Sequence, residues 1–311
     1  MPIAALIRLA ERYPVIVAVE LAAIVVTLSW WSGGSIDLLT MDGRTWQGEF
    51  WRPFSSALPH VNILHLVFNL WWVAILGART EEAFGSLITL FWLLIFAGGS
   101  MVAEYDLADG GVGLSGAGYA LFGFLWALSK RDWRFRDAIT PQTTQLFIGW
   151  FFFCIAMTYT GLMPVANVAH GAGAGLGALG GLVMSPPQGY RRSIAAATLT
   201  VALAAIFATG AFARSYVNMT GSAGWELAKK AFDAAGRGDN QAATAYLERA
   251  VRLRRVHGGW FHNLGVAYLN LGRPRDAARA FRRAAQLDLE HAEDAETADL
   301  LEAGSSVNIE E

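Results

Sequence analysis

The chain has 311 residues, of which 54% are hydrophobic and 16% charged, and its formal net charge is −2. About a quarter of the residues of a soluble domain are usually charged, so this composition excludes an ordinary soluble protein and indicates a membrane protein. Charged residues are sparse from Val15 to Ala213 and dense from Arg214 onward. We therefore expect two domains, one solvated by lipid and one by water. The net charge indicates no partner, because opposite local biases cancel within it.

Seven apolar stretches approach the roughly 20 residues that a helix needs to cross a bilayer core. They are residues 14–31, 57–77, 86–103, 113–129, 145–163, 165–184 and 194–213. The first follows Arg8 and Arg12 as a signal peptide would, but it is long and lacks a small-residue cleavage pattern. We predict a membrane domain over residues 1–213, with a core at 14–184 and an extra span at 194–213. Cys154 is the only cysteine, so no intramolecular disulfide forms.

The loops between these stretches differ in charge. Basic residues at Arg79, 130–136 and 191–192 lie on the same side as the N-terminus, and the acidic residues of 104–109 lie in a loop on the other side. Lysine and arginine near span ends mark the cytoplasmic face, which predicts a cytoplasmic N-terminus and an extracytoplasmic tail. We interpret the basic loop as this topology signal rather than as a nucleic-acid site.

The tail contains a repeat. Gly238, Ala243, Leu247 and Ala250 recur 34 residues later as Gly272, Ala277, Phe281 and Ala284. This period and pattern resemble tetratricopeptide repeats, which are helix pairs that bury their apolar faces by stacking and leave a groove for a protein partner. Two repeats are fewer than the usual minimum, so a third surface is expected from a flanking helix at 222–232, from the membrane domain or from a second protomer. We predict repeats over 222–290 and a frayed acidic tail over 291–311.

Polar residues inside predicted spans are costly and therefore indicate function. His65 and Asn69 share one face of the second span, Ser115 opens the fourth, and His170 lies one turn into the sixth. In the predicted orientation these three spans all run from outside to inside, which places the polar residues roughly 0–12 Å below the outer surface. His60 lies at a span entrance, where we expect it to fix the loop.

Small residues predict close packing of the fourth and sixth spans. Two helical faces carry such strips, namely His170, Gly173 and Gly177 on one and Ser115, Tyr119 and Gly123 on the other. A strip of small residues lets two helix backbones touch, so the histidine is expected to face a neighbouring helix and not lipid.

The residue types indicate nucleophilic catalysis. A serine hydroxyl needs a base to take its proton, and a histidine suits that role near neutral pH. His65, Asn69 and the backbone N–H groups at the start of the Ser115 helix are candidate donors to an oxyanion. No carboxylate is evident at this depth, which favours a Ser–His dyad over a triad. A zinc site of three membrane histidines leaves Ser115 and Asn69 unexplained, so neither a metal nor a cofactor is expected.

The ordered set of motifs resembles the rhomboid family of intramembrane serine proteases. The matching residues are Trp51-Arg52, His60, His65, Asn69, Gly77, Glu81-Glu82, Gly85, Gly113, Ser115-Gly116, Tyr119, Gly123, His170, Gly173 and Gly177. One departure is Leu114, where the family often has alanine.

The resemblance implies an all-helical bundle of six core helices, with Ser115 as nucleophile and His170 as base and acid. His65 and Asn69 are implied as part of the oxyanion hole, Tyr119 as a neighbour of His170, and Trp150–Phe153 as the border of the substrate gate. The implied substrates are single-span membrane proteins cleaved in or near the outer leaflet. Separately, the lack of a transit peptide and the compact length favour a bacterial plasma membrane.

Two other functional classes stay open. A catalytically silent membrane adaptor would recruit clients through the repeats, although inactive relatives usually lose the serine or the histidine. A transporter predicts charged residues through the full depth of the membrane, whereas the polar groups here lie in the outer half. Two GxGxxG stretches, at 111–116 and 175–180, do not follow predicted strands and do not indicate dinucleotide binding.

Overall fold

The computed structural model describes residues 3–186, 189–253 and 256–307, and in these ranges every regular element is a helix. The all-helical prediction is confirmed. The chain divides into two compact units, Met1–Phe212 and Ala213–Glu311.

The first unit contains nine α-helices in the part of the chain that is described. They are α1 (Ile3–Arg12), α2 (Pro14–Trp31), α3 (Arg52–Ser55), α4 (Ile63–Phe84), α5 (Ser86–Leu107), α6 (Ser115–Ser129), α7 (Pro141–Tyr159), α8 (Asn167–Met184) and α9 (Tyr190–Ala208). Each apolar stretch predicted as a span coincides with one of the seven long helices, α2 and α4 to α9. Within the described residues, four helices are long and apolar enough to cross a bilayer by themselves: Pro14–Trp31, Ile63–Phe84, Ser86–Leu107 and Tyr190–Val217.

Helix α6 lies at the centre of the first unit. Twelve of its fifteen residues are buried, and α4, α5 and α8 pack around it. A helix that is apolar on all sides is stable where lipid or other helices surround it, and α6 has other helices around it. The helix that carries Ser115 is therefore shielded from lipid by protein.

Local signals in the sequence explain several helix ends. The Asn62 side chain accepts a hydrogen bond from His65 N at 2.9 Å and starts α4, so the second span begins later than the predicted residue 57. Gly85 has a φ of +78°, which glycine adopts without steric cost, and it separates α4 from α5. Thr140 caps α7, and Pro141 occupies the first turn of that helix.

The prediction that residues 104–109 form an acidic outer loop is wrong for its first half. Helix α5 continues to Leu107, and Glu104 and Asp106 lie within it, each only 3% exposed. The acidic side chains do not end this helix, because at least Glu104 finds a buried backbone donor across the bundle.

The second unit is an array of helices. After a π-helical turn at Thr209–Ala213, it contains α10 (Arg214–Val217), α11 (Ser222–Gly236), α12 (Asn240–Ala250), α13 (Gly258–Asn270), α14 (Pro274–Leu287) and α15 (Asp294–Val307). Gly238 and Gly272, which are 34 residues apart, both have a positive φ, of 78° and 68°, in the turns before α12 and α14. Leu227, Leu247 and Leu264 belong to one apolar core that α11, α12 and α13 share.

The prediction of a frayed acidic tail is wrong for residues 294–307. These residues form α15, and its Ala298 is buried in a cluster with Ala277, Ala278 and Phe281. The small side chain of Ala298 allows α15 to lie close to α14. The third surface that two repeats need comes in part from this helix, which the charge pattern conceals.

Candidate active site

Ser115 and His170 are in hydrogen-bond contact. Ser115 is the first residue of α6 and His170 the fourth of α8, and Ser115 Oγ lies 2.8 Å from His170 Nε2. His170 is only 3% exposed. In the tautomer in which Nε2 accepts the serine proton, the imidazole can act as a general base.

Tyr119 holds the plane of the histidine ring. The two rings are stacked, with centroids 4.6 Å apart and an interplanar angle of 23°, and the Tyr119 hydroxyl donates to Phe147 O at 3.0 Å. Among the described residues, His170 Nδ1 has no hydrogen-bond partner. No carboxylate therefore orients this ring, and the stacked tyrosine takes that part.

The conformation of the loop before α6, which leads to Ser115, depends on Gly113. Its φ is +109°, a conformation that side chains rarely adopt, and a Cβ there would lie 2.6 Å from His65 Cε1 and 2.8 Å from His65 Nε2. The His65 ring therefore packs against the backbone two residues before Ser115. Gly116 is also closely packed, because a Cβ at that position would lie 2.5 Å from Ser100 Oγ.

His60 links the loop between α3 and α4 to the loop before α6. Its Nδ1 lies 2.9 Å from Leu58 O, and its Nε2 accepts the N–H of Leu114 at 3.3 Å. The first contact requires a proton on Nδ1, which leaves Nε2 as the acceptor. Both ring nitrogens are thereby occupied, so His60 has no nitrogen available for a metal. The loop-fixing role of His60 stays a prediction.

The candidate oxyanion donors are the side chains of His65 and Asn69 and the first N–H groups of α6. Asn69 is 4% exposed, and its Nδ2, like His65 Nδ1, is buried without a hydrogen-bond partner among the described residues. The first bond of α6 runs from Gly118 N to Leu114 O at 2.8 Å. The N–H groups of Ser115 to Ala117 thus precede the intrahelical ladder and carry the positive end of the helix dipole.

The two small-residue strips pack against each other, as their spacing predicts. A Cβ at Gly173 would overlap the carbonyl oxygen of Gly116, and a Cβ at Gly177 would overlap that of Ala120. On the facing helix, a Cβ at Gly123 would overlap the carbonyl oxygen of Ala174. Backbone-to-backbone contact of α6 and α8 sets the separation of Ser115 and His170.

Glu104 is a residue at the site that the sequence analysis missed. Its Oε2 accepts the N–H of Ala169 at 2.8 Å, so a carboxylate on α5 caps the first turn of the helix that carries His170. The available signal was Tyr105 and Leu107, apolar residues that continue the span beyond Glu104.

Aromatic residues join α7 to the helices around the dyad. Phe68 on α4 lies 4.9 Å from Trp150, and Trp72 lies 4.8 Å from Phe147, both distances being between ring centroids. Phe152 is exposed on the same helix. The contact between α4 and α7 is therefore made by side chains, unlike the backbone contact between α6 and α8.

Arg52 organises the segment between α2 and α4. It is fully buried, and its Nη1 donates to the carbonyl oxygens of Asp37 and Thr40, both at 2.6 Å. Burial alone would raise the pKa of Asp42, but hydrogen bonds from Arg44 lower it below its ordinary value. This segment is held by hydrogen bonds and ion pairs, together with Met41, which is buried in the apolar core.

Comparison with known proteins identifies both parts of the chain. Residues 47–187 match the model of the Rhomboid domain. The chain carries a rhomboid domain. Residues 259–291 match the model of the Tetratricopeptide repeat, so both predicted resemblances are confirmed.

The rhomboid protease GlpG of Enterobacter sp. (strain 638) is 32% identical over 161 residues, which are 50% of this chain and 52% of that protein. The shared region thus covers about half the length of this curated relative. The rhomboid domain and the apolar helices together make the chain an integral membrane protein.

Proposed function

We propose that the chain is an intramembrane serine endopeptidase in which Ser115 is the nucleophile and His170 is the general base and acid. The observation that carries the proposal is the 2.8 Å contact between Ser115 Oγ and His170 Nε2 at the ends of two tightly packed helices. A hydroxyl at this distance can pass its proton to the imidazole as it attacks a carbonyl carbon.

In the proposed reaction, Ser115 Oγ attacks the scissile carbonyl and its proton moves to His170 Nε2. The same proton then goes to the leaving amine, which leaves an acyl group on Ser115. A water molecule, deprotonated by His170, attacks this ester and releases the second product. The imidazolium formed in each step is favoured by the face of the Tyr119 ring, on which it stacks.

The negative charge on the attacked oxygen needs donors that are already in place. The Nδ2 of Asn69, which is buried without a hydrogen-bond partner among the described residues, suits this role, as do the first N–H groups of α6 and the His65 ring beside Gly113. Each such donor typically contributes about 10²- to 10³-fold in kcat. An unpaired buried amide is costly in a resting protein, which supports a role that a substrate completes.

The proposed substrates are single-span membrane proteins cleaved near the outer leaflet. The dyad lies at the beginning of two helices that run from outside to inside in the predicted topology, with the repeat unit on the extracytoplasmic side. The basic residues near Arg79, 130–136 and 191–192 support this topology. A bacterial plasma membrane is the proposed location, and a protein partner is proposed for the repeats.

The proposal is tested with full-length protein in proteoliposomes. Wild type should react with a fluorophosphonate probe and cleave a co-reconstituted single-span substrate, and both activities should be lost in Ser115→Ala and His170→Ala. Asn69→Ala should lower kcat about 10²-fold with little change in KM, because it acts on the transition state. Ser129→Ala, at the opposite end of the same helix, is the matched control and should behave as wild type.

Cleavage by Ser115→Ala at the wild-type rate contradicts the protease proposal. If wild type neither reacts with the probe nor cleaves any single-span substrate, while its repeats still retain membrane proteins, the adaptor is the better interpretation.

A further inference from the structure

Two histidines and one aspartate converge in the second unit, which includes neither dyad residue. His262 lies on α13, His291 ends a 3-10 turn at Leu289–His291, and Asp294 begins α15. One potential ligand atom from each residue lies within 4.8 Å of the other two. Asp294 is 7% exposed, whereas the two imidazoles are half-buried.

Only one of the two histidines is within hydrogen-bond distance of the carboxylate. His262 Nδ1 lies 3.0 Å from Asp294 Oδ1 and 2.9 Å from Oδ2, but His291 Nδ1 lies 3.8 Å from Oδ2, which is too long for a hydrogen bond. Two ligands of a tetrahedral zinc ion with bonds of about 2.0–2.1 Å are roughly 3.3 Å apart. The two separations from Oδ2 bracket that value, so shifts of about half an ångström would bring both nitrogens to the distance from this oxygen that a shared zinc ion requires.

The two imidazoles face the same carboxylate. The rings are stacked, with centroids 5.0 Å apart and an interplanar angle of 22°, and the Nδ1 atoms of both rings lie within 3.8 Å of Asp294 Oδ2. Both rings therefore present the edge that carries Nδ1 to this oxygen.

We propose that His262, His291 and Asp294 bind a divalent zinc ion that fastens α15 to α13. Two imidazole nitrogens and one carboxylate oxygen are typical zinc ligands, whereas calcium and magnesium prefer sites made of oxygen alone. One coordination position is left for water. The three ligands come from three successive elements, so the ion crosslinks the part of the array that sequence periodicity did not predict.

This site has a structural consequence for the repeat array. Helix α15 packs on α14 through the small Ala298. On the exposed side of the same contact, Arg282 of α14 pairs with Asp299 and Glu302 of α15. Exposed ion pairs of that kind contribute little to stability. The zinc ion therefore adds a link between α13 and the start of α15, beside the apolar contact that Ala298 makes.

The test uses full-length protein in detergent micelles, freed of metal with a chelator and then titrated with Zn²⁺ by calorimetry. Wild type should bind one more equivalent than Asp294→Asn, and His291→Gln should bind that equivalent at least about tenfold more weakly. Comparing variants cancels any zinc bound elsewhere in the chain. Mg²⁺ and Ca²⁺ should not compete. The matched control is His257→Gln, a neighbouring histidine whose Nδ1 accepts the N–H of Gly259, and it should bind as wild type does.

A second measurement follows the backbone of α15. Amide hydrogen exchange in this helix should slow when Zn²⁺ is added to wild type, and it should not change in Asp294→Asn. Exchange rates in α11 to α14 that are equal in both proteins without zinc show that the variant folds. The proposal is overturned if wild type and Asp294→Asn bind the same number of equivalents, or if zinc leaves the exchange of α15 unchanged. The cluster is then an ion pair and a ring stack only.

Discussion

Glu104 provides the sharpest test of how the position of His170 is maintained. Its carboxylate accepts the N–H of Ala169, the residue directly before the histidine, and both residues are buried. Replacing Glu104 by leucine leaves this N–H without an acceptor, which costs about 1–3 kcal/mol. It also removes a negative charge from a helix N-terminus, which contributes about 0.3–1 kcal/mol. Leucine also avoids the cost of burying a carboxylate, which offsets part of this loss. We therefore expect Glu104→Leu to destabilise the folded protein by about 2 kcal/mol.

Glu104→Gln separates the acceptor from the charge. Its amide oxygen can still accept the Ala169 N–H, so the expected destabilisation is below about 1 kcal/mol. Movement of the first turn of α8 lengthens the contact between Ser115 and His170. We therefore expect kcat to fall about tenfold in Glu104→Leu, equivalent to about 1.4 kcal/mol, and less than threefold in Glu104→Gln.

The assay combines unfolding in mild detergent with kcat and KM for a single-span substrate. The control is Glu20→Leu, which removes a half-buried carboxylate from α2 whose Oε1 has no hydrogen-bond partner among the described residues. This control should not lose stability. Equal stability and equal kcat in Glu104→Leu and Glu104→Gln would refute the capping role.

Further predictions concern packing, access and topology. Gly177→Ala should destabilise the membrane unit by about 1–3 kcal/mol, because its Cβ meets a backbone oxygen of α6. Gly175→Ala has open space around its Cβ and should not destabilise the unit, and unfolding measurements compare the two variants. Trp150→Ala should speed cleavage of a single-span substrate if parting of α4 and α7 limits access, and a slower rate would place the limit elsewhere. Two variants in a cysteine-free background, Asp233→Cys and Trp133→Cys, place a thiol at an exposed position on opposite sides of the membrane in the predicted topology. On intact cells an impermeant maleimide should label Asp233→Cys and should not label Trp133→Cys, and the reverse result contradicts the predicted topology.

Sequence patterns were sufficient to predict the helices and the contact between two of them. The apolar stretches are long and the small residues recur at helical spacing, so the packing of Gly173 and Gly177 against α6 follows from periodicity. The proximity of Ser115 and His170 is a consequence of that packing. The catalytic roles of both residues stay predictions until variants are assayed.

Other features depend on contacts that no local pattern reveals. Glu104 looks like a loop residue until α8 brings a buried N–H to it, and Ala298 gives no periodic signal in an acidic segment. The bond between His60 and the Leu114 N–H joins residues that are 54 positions apart. Contacts of this kind are set by tertiary structure, which overrides the preference of each segment.

The shortness of α6 has a consequence for the supply of water. Fifteen residues span only about 22 Å, some 8 Å less than a typical hydrocarbon core. If Lys130 marks the inner boundary, Ser115 lies below the outer surface, in a recess that the loop before α6 borders. In the proposed topology such a recess can fill from the extracytoplasmic solution while protein keeps lipid away. Hydrolysis of the proposed acyl intermediate needs this supply, and lengthening α6 by one turn at its start would close it.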